Sequence, residues 1–163
     1  MAKCLLLPAA LLLIAAAPPR DLPNPHRTPG AIDPAITQAT IDRTICSRHW
    51  STRDIRPPED YTYRLKRYQL RAWGYRDRRT RDYEEDHLIS LELGGAPSSP
   101  RNLWPEPWRG HCGAHAKDRV ENALHRAVCD GELSLRAAQQ AIATDWVAAY
   151  RDYVGPIQCR TGR

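Results

Sequence analysis

At 163 residues the chain has room for one domain and little else, and it shows no internal repeat. A formal charge of +5 and a pI of about 9.1 favour a polyanionic partner over a neutral one. Phe is absent, so five Trp and seven Tyr must supply the large core side chains. A small exported domain of this kind usually needs covalent or metal support.

Residues 1–17 read as a signal peptide. Lys3 is the charged start, Leu5 to Ala17 is apolar apart from Pro8, and Ala15-Ala16-Ala17 offers small residues for cleavage. The run is too short for a stable membrane anchor, and Pro18 disfavours a cut directly after Ala17. Loss of Lys3 with the leader lowers the charge from +5 to +4. The mature chain is expected to be an exported monomer, periplasmic or secreted, without a membrane span. Cys4 falls in the leader, leaving Cys46, Cys112, Cys129 and Cys159. Four cysteines in an oxidised domain suggest two disulfides, with three connectivities open.

Residues 18–35 form the next unit. Pro18 to Pro34 holds six prolines in seventeen residues and reads as an extended, mobile linker ahead of a domain over 36–163. Ile36, Ile41 and Ile45 suggest a short helix or an extended lead-in to Cys46. From Arg48 to Asp82 eleven basic residues face five acids, a local excess of +6, with Tyr61, Tyr63, Tyr68, Trp73 and Tyr75 interleaved. Tyr63 to Trp73 reads as a helix with Leu65, Tyr68, Leu70 and Trp73 on its buried side, and Gly74 as its stop. Arginine beside aromatics suits phosphate contact and base stacking. The same pattern also suits a solvated face over a core. Arg76, Arg78, Arg79 and Arg81 are the nucleic-acid-binding candidates here.

The centre of the chain is Asp86-His87-Leu88-Ile89-Ser90-Leu91-Glu92-Leu93-Gly94-Gly95, followed by Asn102-Leu103-Trp104-Pro105. A short run with strand-like alternation is broken by the two glycines, a Ser/Pro-rich loop follows, and Asn102 opens a second run. Trp104 and Trp108 read as core or loop anchors. Val120, Leu124 and Val128 then mark an amphipathic helix over Ala116 to Val128. Ser134 is a candidate N-cap for a last helix, Leu135 to Tyr153, which Gly155-Pro156 stops. The expected fold class is α+β.

A histidine with a free pKa of about 6.5 suits a general base at neutral pH. A carboxylate suits a hard divalent cation. Neighbours in a regular strand point to opposite faces, so Asp86 and His87 converge only if the strand twists or ends there. His111 and His115, four apart, would share a helical face.

Strand, loop, strand and helix in this order, with Asp86-His87 at the first strand and Asn102 in the loop, resemble the ββα-metal finger of HNH endonucleases. Within that group the chain is similar to small exported proteins with a DHxIxLxxGG…NLWP core and a KDxxE helix, here Lys117-Asp118-Arg119-Val120-Glu121. The resemblance spans Thr44 to Tyr153. It implies a disulfide-stabilised finger with flanking helices that hydrolyses phosphodiesters of DNA or RNA with little sequence preference. In it Asp86 binds metal and His87 is the general base. Asn102, the middle motif residue, braces the loop. His115 and His111 stand where some HNH toxins hold metal. Lys117 near a helix start is a candidate for neutralising phosphate, and Asp118 and Glu121 are either ligands or acids complementing the helix dipole. The implied cofactor is Mg²⁺, with Mn²⁺ or Zn²⁺ as alternatives. The implied disulfides are Cys46–Cys129, the recurrent pair, and by remainder Cys112–Cys159. The competing expectation is a non-catalytic exported module that binds nucleic acid or envelope polyanion through a degenerate finger. Structural zinc among Cys112, Cys129, His111 and His115 would mark that version.

Overall fold

The computed structural model describes residues 22–110 and 112–159. The signal-peptide reading, the first part of the Pro-rich stretch and His111 lie outside them. Among the described residues the protein is a mixed α and β structure of three helices, a two-stranded sheet and two disulfides. In chain order the elements are α1 (Glu59–Ala72), β1 (Tyr83–His87), β2 (Leu103–Pro107), α2 (Ala114–Cys129) and α3 (Leu135–Tyr153).

Helix α1 begins four residues before the expected Tyr63 because Pro58 precedes it and the acids Glu59 and Asp60 occupy its first turn, where they complement the dipole. Leu70 is buried as expected, but so is Gln69, while Tyr68 is exposed. Gln69 faces inward because its Nε2 donates to the Leu103 carbonyl at 3.0 Å. Lys66 Nζ on the Tyr83 carbonyl (2.8 Å) and the Tyr75 hydroxyl on the Pro105 carbonyl (3.1 Å) complete the seam between this part of the chain and the hairpin.

Strands β1 and β2 pair antiparallel, with Glu84 opposite Glu106, Asp86 opposite Trp104 and His87 opposite Leu103. The first strand ends at His87. Leu91–Leu93, which alternation suggests as its continuation, is a tight 3-10 turn with both leucines buried. Helices α2 and α3 bury Val120, Leu124 and Val128 against Ala138, Ile142, Trp146 and Tyr150 in the main core. Inside α3, Asp145 is extended (φ −161°), and its Oδ1 accepts from the amides of Val147 and Ala148 at 3.0 Å each. It therefore caps a second helical segment within the element.

The disulfides are Cys46–Cys129 and Cys112–Cys159. The first ties the Ile-rich lead-in to the end of α2; the second ties the start of α2 to the segment after α3. From residue 22 onward the Pro-rich stretch is strapped to the hairpin loop. Gly30 N donates to the Arg101 carbonyl (3.0 Å), Asp33 N to the Gly94 carbonyl (2.8 Å), and Ala96 N to the Ala31 carbonyl (2.8 Å). No helix among the described residues is long and apolar enough to cross a membrane.

Changing Cys46 and Cys129 together to Ser would free a separation of 83 residues. The expected cost is roughly 4–5 kcal/mol, read from urea unfolding.

Candidate active site

The site begins where β1 stops. Leu88 N donates to the Asn102 carbonyl at 2.7 Å, and Ile89 N to Asn102 Oδ1 at 2.9 Å, which turns the chain out of the strand. Asn102 Nδ2 donates onward to the carbonyls of Ile89 (2.9 Å) and Ala96 (3.2 Å). The buried asparagine thus knots both ends of the 89–96 loop. Gly95 is required by this knot, since a Cβ there would stand 1.8 Å from the Ile89 carbonyl oxygen and 2.8 Å from Asn102 Nδ2. Gly94, at φ +73°, closes the 3-10 turn.

Because the strand ends, Asp86 and His87 both reach one cleft of about 590 Å³, whose walls also include Arg56, Lys66, Glu84 and Asp118. His87 Nε2 lies 2.8 Å from the Pro97 carbonyl, so that nitrogen carries the proton and donates. The other ring nitrogen, Nδ1, then holds the lone pair. Burial lowers the His87 pKa, against the pull of Asp86, so the ring is neutral at physiological pH.

Beneath the cleft Lys117, only 1% exposed, carries its ammonium into a cage of oxygens. Its Nζ donates to Asp86 Oδ2 at 2.6 Å, to the His87 carbonyl at 2.7 Å, and to Glu121 Oε1. Burial alone would lower its pKa, but the fields of Asp86, Glu121 and Glu106 outweigh it and hold the lysine well above its usual value. For Asp86 burial acts upward, and Lys117 with a hydrogen bond from Glu106 outweighs it, so Asp86 is ionised. Glu106 is fully buried, and no N–H or hydroxyl group of the described residues donates to either of its oxygens. Burial raises it well above the usual carboxyl range, which keeps its proton available for Asp86.

More acids crowd the same region than cations balance. Burial, followed by the charges of Asp86 and Asp118, pushes Glu84 up to about 7. Burial lifts Glu85 to about 9, and neither of its oxygens is hydrogen-bonded. Burial also lifts Glu121 to about 8, against the pull of Lys117, and raises Glu92 and Asp118. Each carboxyl resists ionising chiefly because burial strips the solvation of its charged form, with neighbouring acids adding to the effect.

The expected site residues divide accordingly. Asp86, His87 and Asn102 form one unit. Lys117 joins them as a buried strut, which corrects its reading as a phosphate-gripping residue: all three of its protons are committed inside the protein. His115 does not converge on Asp86; its exposed ring lies against Trp108, with Nδ1 3.8 Å from Asp118. Arg76, Arg78, Arg79 and Arg81 are absent from the cleft wall. They precede Tyr83, which pairs at the opposite end of the hairpin from His87, and Arg79 is held between Asp77 (3.0 Å) and Asp82 (2.8 Å). The zinc arrangement through Cys112 and Cys129 is closed off because both sulfurs are in disulfides. Cys46, His125 and Cys129 do gather within 4.8 Å, but thiolates are the metal ligands, and here the cysteines are bonded to each other. Residues missed by sequence reasoning are Arg56, Glu84, Glu85 and Glu106. The i, i+2 spacing of Glu84 and Asp86 would have placed both on one strand face; the others carry no comparable signal.

The donors at the cleft are oxygens, from Glu84, Asp86 and Asp118, and they suit a hard divalent ion better than zinc. Among the described residues they do not close into a tight group of three. Compared with protein-family models, with curated proteins and with solved structures, the chain matches none of them.

The raised acids set a pH dependence. A carboxyl whose folded pKa exceeds its unfolded value stabilises fully below the unfolded value, and this is lost as pH rises through the folded one. For Glu84, Glu121 and Glu85 that upper limit is about 7, about 8 and about 9. The lowered groups, His87 and Asp86, titrate at more acidic pH. Thermal melts should therefore show Tm falling from about pH 6.5, above the range where His87 titrates, to about pH 9, and Glu85→Gln should flatten the most alkaline part of that fall. A Tm rising across this range contradicts the assignment.

Lys117→Met should cost about 3–5 kcal/mol in urea unfolding, because Asp86 is left buried without its cation.

Proposed function

We propose that the protein is a nuclease of the HNH type, hydrolysing phosphodiester bonds with His87 as general base. The single observation that carries this reading is the His87 ring: neutral, fixed through Nε2 on the Pro97 carbonyl, and set on the wall of an acid-lined cleft. A surface histidine would have neither the fixed tautomer nor the lowered pKa. In the reaction Nδ1 accepts a proton from water as the water oxygen attacks phosphorus. Asp86 then stabilises the imidazolium that forms, its charge being among the influences on the His87 ring. Lys117 holds the Asp86 carboxylate and the His87 carbonyl from below, so the base cannot drift from its position. Asn102 keeps the loop that brings Pro97 to the ring. Arg56 on the cleft wall, whose charge reaches both His87 and Glu84, suits contact with the scissile phosphate.

Asp86, Glu84 and Asp118 would hold a divalent cation, Mg²⁺ by donor chemistry, and when bound it supplies positive charge against the developing phosphorane and leaving oxygen. The two disulfides are compatible with an exported protein, and nucleic acid outside the producing cell is the corresponding substrate class.

The test is cleavage of plasmid and of RNA by purified, oxidised protein with Mg²⁺, Mn²⁺ or EDTA. His87→Ala should lower the rate about 10²–10⁴-fold while leaving the melting curve near wild type. The acid limb of the rate should lie below pH 6.5, since the base must be neutral and its pKa is lowered. Full activity in His87→Ala, or none in wild type with any divalent metal, rules out the reading.

A further inference from the structure

The outer face of α1 is built unlike an ordinary solvated helix. Tyr63 and Tyr68 are 48% and 66% exposed, two of the few large apolar side chains that the described residues leave in solvent. At about 100° per residue, Tyr63, Arg64, Arg67, Tyr68 and Arg71 fall within about 140° of the helix circumference, with buried Leu70 bordering the Tyr63 edge and buried Gln69 on the other side. Arg67 lies over the Tyr63 ring, 5.8 Å from its centroid. Arg64, Arg67, Tyr68 and Arg71 line a shallow hollow of about 460 Å³. Asp60 engages Arg64 at 2.6 Å, but Arg67 and Arg71 have no carboxylate partner among the described residues. The opposite side of the same helix, through Glu59, Thr62 and Lys66, forms part of the cleft wall.

From this we infer that the outer face of α1 is a binding surface for single-stranded nucleic acid, with bases stacked on Tyr63 and Tyr68 and phosphates held by Arg67 and Arg71. About half or more of each tyrosine stays in water, whereas a base offers each ring a planar partner. Two unpaired guanidinium groups between them match the alternation of base and phosphate along a strand. A duplex hides its base faces and could use only the arginines. One rigid helix links this face to the cleft, which gives the surface its task of holding the strand at a distance from the bond being cut. The inference takes its substrate class from the nuclease reading of the cleft, but the binding it describes does not require catalysis.

The experiment is fluorescence anisotropy with a labelled oligothymidylate of about 20 residues and a duplex of the same length, in EDTA to prevent cleavage. Tyr63→Ala and Tyr68→Ala should each weaken single-strand binding about 5- to 150-fold, with little effect on the duplex. The double variant Arg67→Gln/Arg71→Gln should flatten the slope of log affinity against log salt by about 1.4. These positions are on the surface, so melting curves report whether each variant is folded. Tyrosine variants that bind the single strand as wild type does overturn the inference, as does equal loss on single strand and duplex. So does capture on anionic phosphatidylglycerol vesicles that the same variants lose while oligonucleotide binding persists. Wild type that binds but never cuts removes the nuclease reading and leaves this surface standing. Cleavage lost in His87→Ala but oligonucleotide binding unchanged in the tyrosine variants does the reverse.

Discussion

The structure turns on one buried ammonium. Lys117 enters from the first turns of α2 and meets Asp86, the His87 carbonyl and Glu121. An unpaired lysine in that position would be driven to its neutral form by burial. Its charge survives because carboxylates surround it, and Asp86 stays ionised because the lysine is there. With Glu106 and Glu121 pushed toward their protonated forms, the ammonium and the Asp86 carboxylate nearly cancel, which is the charge state a buried cluster tolerates. This contact is also the chief polar bond between α2 and the hairpin. It fixes how the helix lies against the strand end that carries the histidine.

Above that strut, two neutral devices complete the geometry. Asn102 uses both ends of its amide to close the 89–96 loop on itself, and Gly95 leaves room for it. The loop in turn offers Pro97 to His87. The Pro-rich stretch contributes by bridging Ile32 to Gly95 and bonding to Arg101, so the loop is held from outside as well as inside. A histidine supported in this way has little freedom to reorient, and the energy of holding it was supplied in folding.

The cleft carries an imbalance that the fold alone does not relieve. Glu84, Glu85, Glu92 and Asp118 all sit with raised pKa values near Asp86. Concentrating acids costs stability at neutral and alkaline pH, and such cost is typically borne where charge has a use. A cation, or a substrate brought with one, would relieve it. On the readings proposed above, the separation of this acidic cleft from the arginine-rich outer face of α1 would divide the labour: the cleft would take a cation, and the helix face would take phosphate.

Much of the architecture was legible in the residues. The apolar spacing of Val120, Leu124 and Val128, and Ser134 before an apolar run, locate α2 and α3, because local periodicity and capping decide helices. The two tight glycines and Asn102 mark the loop, since few other residues fit its backbone. Export-type cysteine usage pointed to two bridges, and the resemblance to HNH proteins supplied their pairing. What the sequence alone left undecided was the direction of each charged side chain. Lys117 at a helix start looks the same on paper whether it points to solvent or into a cage of acids, and His115 looks the same whether it faces a metal or water. Glu106, 20 residues from Asp86 in sequence, meets it only because β1 and β2 pair in one particular register. Those outcomes depend on burial and on partners brought from distant segments, and burial is a property of the folded chain.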